Sequence, residues 1–204
     1  MKRRTTVLAA GLALIAGTAP IVAQENICAQ EGMNSPLELH KAWILKGWEL
    51  RQGDPEFVFA EEMDRYYDLE DPQGVYYDNF APNGAPTFDN AAEYGANWEA
   101  PVNSSRTIRH ALTEHHDQIV GERVASTTLG FVGDIVRLTG ERITFNARSQ
   151  LGWECDSGEW VIRHELNSAW LVEPKEITPF SKRGRIGNDR GNRRPFLCRH
   201  VGDR

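Results

Sequence analysis

The rhythm of apolar and polar residues along this chain changes near Pro101. Before it, apolar positions recur at helical spacing. His40, Trp43, Ile44, Gly47, Trp48 and Arg51 fall on one stripe, as expected of a helix with one buried face. Ser35 and Glu38 make a capping-box pattern in front of that stripe, with Pro36 at the first helical position. Gly53-Asp54-Pro55 stops it. A second helix is predicted over residues 56–67, with Phe59, Ala60, Met63 and Tyr67 on one face. A turn at Asp71-Pro72-Gln73-Gly74 leads into a short strand over residues 75–78, and Pro82, Gly84 and Pro86 mark a loop. A third helix is predicted over residues 88–98, with Phe88, Ala91, Ala92, Gly95 and Trp98 on one side.

After Pro101 the period falls to two. Residues 106–113 and 123–132 are strand candidates. Residues 141–155 alternate almost without a break, with Ile143, Phe145, Ala147, Leu151, Trp153 and Cys155 on one face. Asp156-Ser157-Gly158 is a hairpin signal. In the strand after it, Trp160, Ile162, His164, Leu166 and Ser168 share a face, assigned inward by its large apolar residues. Helices first and then four strands in hairpin succession predict an α+β fold, with helices packed on one face of an antiparallel sheet.

The N-terminus bears on compartment. Lys2, Arg3 and Arg4 precede an apolar run over residues 7–16, followed by small residues. This reads as a secretory signal peptide over residues 1–23, too short to span a bilayer. The expectation is a periplasmic or secreted protein without stable membrane insertion. Residues 24–34 form an N-terminal segment, residues 35–174 the domain, and residues 175–204 a basic tail. Residues 24–180 carry 12 Lys and Arg against 27 Asp and Glu, and residues 181–204 carry 8 against 2. An acidic domain disfavours nucleic acid as a partner. The tail, with Arg183, Arg185 and Arg190 among its cations, is expected to fold back on the acidic domain or to stay mobile.

Three cysteines, Cys28, Cys155 and Cys198, leave three pairings open in an oxidising compartment. Cys28 with Cys198 is favoured, because it would tie down the tail; Cys155 with Cys198 is the rival. Their scattered spacing does not suit a metal site.

Residues 158–168, Gly-Glu-Trp-Val-Ile-Arg-His-Glu-Leu-Asn-Ser, resemble the closing hairpin and last strand of the SnoaL-like branch of the nuclear transport factor two superfamily. That superfamily includes the ketosteroid isomerases. Glu141-Arg142-Ile143-Thr144-Phe145 is similar to the strand before it. The stretch from Trp48 to a helix ending in Tyr66-Tyr67-Asp68 looks like the family's opening. Where the family frequently carries a second histidine, this chain has Leu166. The resemblance covers roughly residues 37–169. It implies a cone-shaped fold, a curved antiparallel sheet wrapped around N-terminal helices, with a deep pocket at the open end. Family members use the pocket for isomerisation, cyclisation or dehydration, or simply to bind a ligand.

The candidate chemistry follows from residue type. His164 titrates near neutral pH and suits proton transfer. The resemblance sets Tyr66, Tyr67 and Asp68 at the pocket mouth, where a tyrosine polarises a carbonyl and a carboxylate acts as base. His164, Asp68 and Tyr67 are therefore the catalytic candidates, with Asp78 open to the same reading as Asp68. Tyr66, Trp43, Trp48, Trp98, Phe145 and Ser168 are the ligand-binding candidates, the aromatic ones suiting a flat apolar molecule. Glu114-His115-His116-Asp117 reads as a polar turn between strands, since neighbours on a strand diverge. His164-Glu165 lacks the second histidine and the helix of a zinc-protease motif. No metal and no cofactor are expected. The chain is thus expected to hold a small apolar organic molecule, with cofactor-free acid–base catalysis of an isomerase or lyase type if it is an enzyme. The alternative is a non-catalytic binding or interaction module of the cell envelope. A homodimer is expected through an outward sheet face carrying Arg142, Thr144, Asn146, Arg148, Arg163 and Glu165.

Overall fold

The computed structural model describes residues 27–70, 73–84 and 86–177. The segment expected to be a signal peptide and all but the first three residues of the basic tail, Cys198 included, lie outside the described residues. Helix α1, Pro36–Ala42, winds on into a π-helical turn, Trp43–Gly47. A one-turn helix α2, Phe59–Glu62, strand β1, Val75–Asp78, and strand β2, Thr87–Phe88, precede helix α3, Ala91–Asn103. Four long strands follow: β3, Ser105–Val120; β4, Val124–Arg137; β5, Arg142–Asp156; and β6, Glu159–Leu171.

The sheet order is β2-β1-β6-β5-β4-β3. The four long strands pair antiparallel in succession, as their spacing predicts. Strand β1 adds a parallel edge on β6, with Tyr77 opposite Leu166, so the sheet is mixed and unclosed. The helices pack on its inner face. Between them lie Trp43, Met63, Leu129, Leu151, Trp153, Trp160 and Ile162, each at most 2% exposed.

Several local expectations are corrected. The second helix is not formed over residues 56–67. Asn103 of α3 accepts from the Phe57 N–H at 2.8 Å and donates to its carbonyl at 2.9 Å, holding that stretch extended. Tyr67 then pairs with Ile162 of β6 as an isolated bridge. The third helix is longer than its pattern, running through Pro101. It starts at Asn90, whose side chain accepts from the Glu93 N–H at 2.8 Å. Glu114 to Asp117 is no turn but part of β3, exposed beside a register shift between Leu112 and His116. Ser35 does sit at the helix start, yet its side chain makes no capping bond, and Glu38 pairs with Lys41 at 2.6 Å instead.

The disulfide joins Cys28 to Cys155, which corrects both pairings through Cys198. Cys155 ends the inner face of β5, and the N-terminal segment crosses that end of the sheet. There Trp160 donates to the Ala29 carbonyl at 2.7 Å. On the outer face, Asp134 of β4 is fully covered by Arg109 and Arg142 from the strands on either side, with Arg142 Nε at 2.7 Å. Burial alone would raise the Asp134 pKa, but hydrogen bonds from Arg142 and Arg109 and their charges hold it below the usual carboxylate range.

Candidate functional site

Strand β5 keeps strict alternation, and its inner face is the one expected. Strand β6 does not. Trp153 pairs with Ile162 and Gly152 with His164, so Arg163 is an extra residue, a β-bulge. Gly152 lets the two strands close there; a Cβ on it would stand 3.1 Å from the His164 Cβ. Arg163 is held outward by Glu154, at 2.8 Å, and by Asp68, at 3.4 Å. Beyond the bulge the faces exchange. Glu165, Asn167 and Ala169 turn inward, and His164, Leu166 and Ser168 turn to solvent.

Glu165 is thereby buried among donors. Tyr67 donates to one oxygen at 2.5 Å; Tyr94 of α3 and Asn167 donate to the other at 2.6 and 2.5 Å. The Trp43 indole in turn donates to the Tyr67 hydroxyl at 2.8 Å. Asn167 also reaches Asp78 of β1 at 3.3 Å, and the Phe80 backbone N–H donates to Asp78 at 2.7 Å. Burial pushes the Glu165 pKa up to about 7, with the Asp78 charge adding and the hydrogen bonds opposing. Burial likewise raises Asp78, against its three hydrogen bonds. Tyr67 and Tyr94 are raised well above the ordinary tyrosine value, by burial first and then by the Glu165 charge. They stay protonated and keep donating.

An apolar cavity of about 90 Å³ adjoins this network. Asp78, Tyr94 and Asn167 line one side of it, and His110 of β3 belongs to the far wall, three strands from β6. Phe145 closes part of the floor. Its ring lies over Gly133, where a Cβ would come within 2.1 Å of the ring. His110 is flanked edge-to-face by Phe131 and Phe145, with centroids at 5.6 and 6.1 Å. Burial lowers its pKa to about 4, against a hydrogen bond to the Ile44 backbone. The imidazole is therefore neutral. A donor to Ile44 on one nitrogen leaves Nδ1 as a base with a free lone pair.

Four buried polar atoms with no partner among the described residues belong to residues lining this one cavity. They are the Trp48 and Trp98 indole nitrogens, His110 Nδ1 and Asn167 Oδ1. Leaving such an atom unsatisfied costs about 1–3 kcal/mol. Two donors, one base and one acceptor thus belong to residues that line a mostly apolar space. No group of three or more His, Cys, Asp or Glu able to hold a metal occurs among the described residues.

Of the sequence candidates, Trp43, Trp48, Trp98 and Phe145 line the cavity. Tyr67 stands behind it in the Glu165 network. Tyr66 is buried but does not line it, and its backbone carbonyl accepts from the Ile162 N–H at 2.8 Å. Ser168 and His164 are on the solvent side of β6, and Asp68 is a half-exposed partner of Arg163. The inward assignment of His164 is corrected by the bulge. His110, Tyr94, Glu165 and Asn167 were missed. One signal pointed to Glu165 and Asn167: Gly152, an isolated glycine in an alternating strand, marks a bulge in its partner.

No protein-family model and no curated protein sequence matches the chain. Solved structures match it in fold. A nuclear transport factor 2-like superfamily protein from Salmonella enterica serovar Typhimurium is 13% identical, covering 65% of this chain and 82% of that one, with a TM-score of 0.46. A protein from Kribbella flavida is 13% identical, over 56% of this chain and 79% of its own, at 0.48. A hexachlorocyclohexane dehydrochlorinase is 11% identical, over 67% and 85%, at 0.48. The chain's own elements make an α+β fold, with helices on the inner face of a mixed, unclosed sheet. At such identities the likeness is one of fold and brings no residue role with it.

Proposed function

We propose that this chain binds a small, mostly apolar organic molecule carrying a carbonyl and moves a proton on it without a cofactor. The observation that carries the reading is the set of four unpartnered polar atoms on residues lining one mostly apolar cavity. The Trp48 and Trp98 N–H groups suit a carbonyl oxygen, and a donor group on the ligand suits Asn167 Oδ1. His110 Nδ1 takes a proton from the carbon beside the carbonyl, leaving an enolate whose oxygen the indoles stabilise. The imidazolium returns the proton to the same or a neighbouring carbon. Asp78 and Glu165 fix Tyr94 and Asn167 by hydrogen bonds on that side of the cavity.

The compartment belongs to the same proposal. The buried Cys28–Cys155 disulfide and the charged, apolar start of the chain support a periplasmic or secreted protein. No helix among the described residues is long and apolar enough to cross a membrane. Pairing of two copies is supported by an outward apolar strip that the bulge creates, with Val75, Tyr77, Leu166 and Trp170 between 37% and 54% exposed. Light scattering of the chain and of Trp170→Glu would test it; a monomer in both refutes pairing.

Cyclohexanone tests the site. Tryptophan fluorescence is expected to report saturable binding, lost in Ala147→Phe, which fills the cavity. In D2O, NMR is expected to show deuterium entering beside the carbonyl, and His110→Gln to stop this while binding persists. A response that never saturates, or that Ala147→Phe leaves unchanged, refutes the binding site. Exchange that persists in His110→Gln refutes the catalytic role.

A further inference from the structure

A larger chamber of about 490 Å³ adjoins the cavity, and the two share Phe80, Trp98, Val102, Ile108 and Ile135 as walls. One charged residue, Arg137, lines that chamber among the described residues. It stands two residues beyond Ile135 on the inner face of β4, so its backbone is roughly 7 Å further toward the mouth. Its Nη1 donates to the Pro101 carbonyl at 2.6 Å and reaches the Ser104 and Ser105 hydroxyls at 2.9 and 3.2 Å. These bonds clamp the C-terminal end of α3, where a cation is favourable in any case. They occupy one nitrogen of three. Among the described residues no carboxylate stands within ion-pair distance of this guanidinium, whereas Arg109, Arg142 and Arg163 all meet carboxylates.

A half-buried guanidinium without a counter-ion, in apolar walls, is unusual on a domain with more than twice as many acids as bases. Burial weakens screening, and the planar fork matches a carboxylate in two parallel hydrogen bonds. We infer that Arg137 is an anion-binding residue at the cavity mouth and that the ligand is an amphiphilic carboxylate, its apolar body in the inner cavity and its carboxylate on the Arg137 Nε and Nη2 edge. This rests on the inner cavity being the ligand site. The separation sets the ligand's length: about one ring plus two or three carbons.

Two probes that differ in charge alone decide it: 3-phenylpropanoate and 3-phenylpropanamide, titrated calorimetrically into the described chain and its variants. The carboxylate is expected to bind at least tenfold tighter than the amide at low ionic strength, with the margin shrinking as salt rises. Arg137→Gln is expected to erase the margin and leave amide affinity within about twofold. Because that variant also loosens the α3 clamp, Arg137→Lys and Ser104→Ala serve as controls. The lysine variant keeps the charge and is expected to retain part of the margin; the alanine variant weakens the clamp alone and is expected to retain all of it. Equal binding of the two probes by the unaltered protein overturns the anion site and leaves the cavity standing. A margin that survives in Arg137→Gln overturns it too. Binding of neither probe refutes the cavity as ligand site and the anion site with it.

Discussion

Two buried polar clusters lie under the same sheet, and they are built to opposite ends. In the first, His40 of α1 is 0% exposed. Its Nδ1 is 2.8 Å from the Thr127 hydroxyl and its Nε2 is 2.5 Å from that of Ser149. Trp153 donates to Thr127 at 2.8 Å, so the Thr127 proton is free to serve Nδ1, and Nε2 carries the imidazole proton toward Ser149. Every nitrogen is used. The second cluster, around Glu165, is just as buried but ends on Asn167, which has an orphaned acceptor at the edge of a cavity. Trp43 separates the two, edge-on to His40 at 5.5 Å and hydrogen-bonded to Tyr67. Burial of a titratable group therefore does not mark a site here. The mark is an unused polar atom with space beside it.

The largest way to break the contrast is His40→Ala. It opens a cavity and strands two hydroxyls, and is expected to cost about 3–5 kcal/mol in urea unfolding. Cyclohexanone affinity per folded molecule should not change. A loss of affinity with stability intact would make His40 part of the site.

The pH dependence of stability separates the clusters next. The Glu165 pKa is raised from 4.5 to about 7 in the folded chain. Its contribution is full below pH 4.5 and is lost as pH rises through 7, on the order of 3 kcal/mol in all. His40 runs the other way. Burial lowers it from 6.5 to about 3, so its contribution is full above pH 6.5 and is lost as pH falls toward 3. Glu165→Gln is expected to flatten the upper branch and leave the acid branch. A variant with an unchanged stability profile from pH 5 to 8 would remove Glu165 from this account.

Gly133→Ala has a smaller expected effect. The new methyl meets the Phe145 ring and forces it to move, at about 1–3 kcal/mol. Displacing the cavity floor should weaken ligand binding as well, which His40→Ala should not do. Gly152→Ala is smallest. Its methyl would crowd the bulge against His164, and about 1 kcal/mol or less is expected. A cyclohexanone titration unchanged in Gly133→Ala would put the ligand elsewhere.

Legibility from sequence followed the same division. The β5 face could be read because nothing interrupts its alternation, and the four-strand succession because hairpin turns punctuate it. The face of β6 could be read only as far as Ile162. One extra residue then reverses parity, and its cause lies in pairing with Gly152 and in two carboxylates far apart in sequence, Glu154 and Asp68. That single event moved the expected histidine out and the unexpected Glu165 in. The tryptophans lining the cavity lie on or beside helical turns, which the bulge does not touch. The truncated second helix was illegible for a similar reason: Asn103 competes for the Phe57 backbone across 46 positions.

The Cys28–Cys155 staple makes the two ends of the sheet mechanically unequal. It closes a span of 127 residues at the end that holds Trp153, Trp160 and the His40 cluster. Chain entropy for a loop of that size amounts to about 5 kcal/mol. The other end, where Arg137 and Ile143 line the outer chamber, relies on side-chain bonds and helix docking. Amide hydrogens along one strand should therefore exchange along a gradient, slowest near Cys155 and fastest near Phe145.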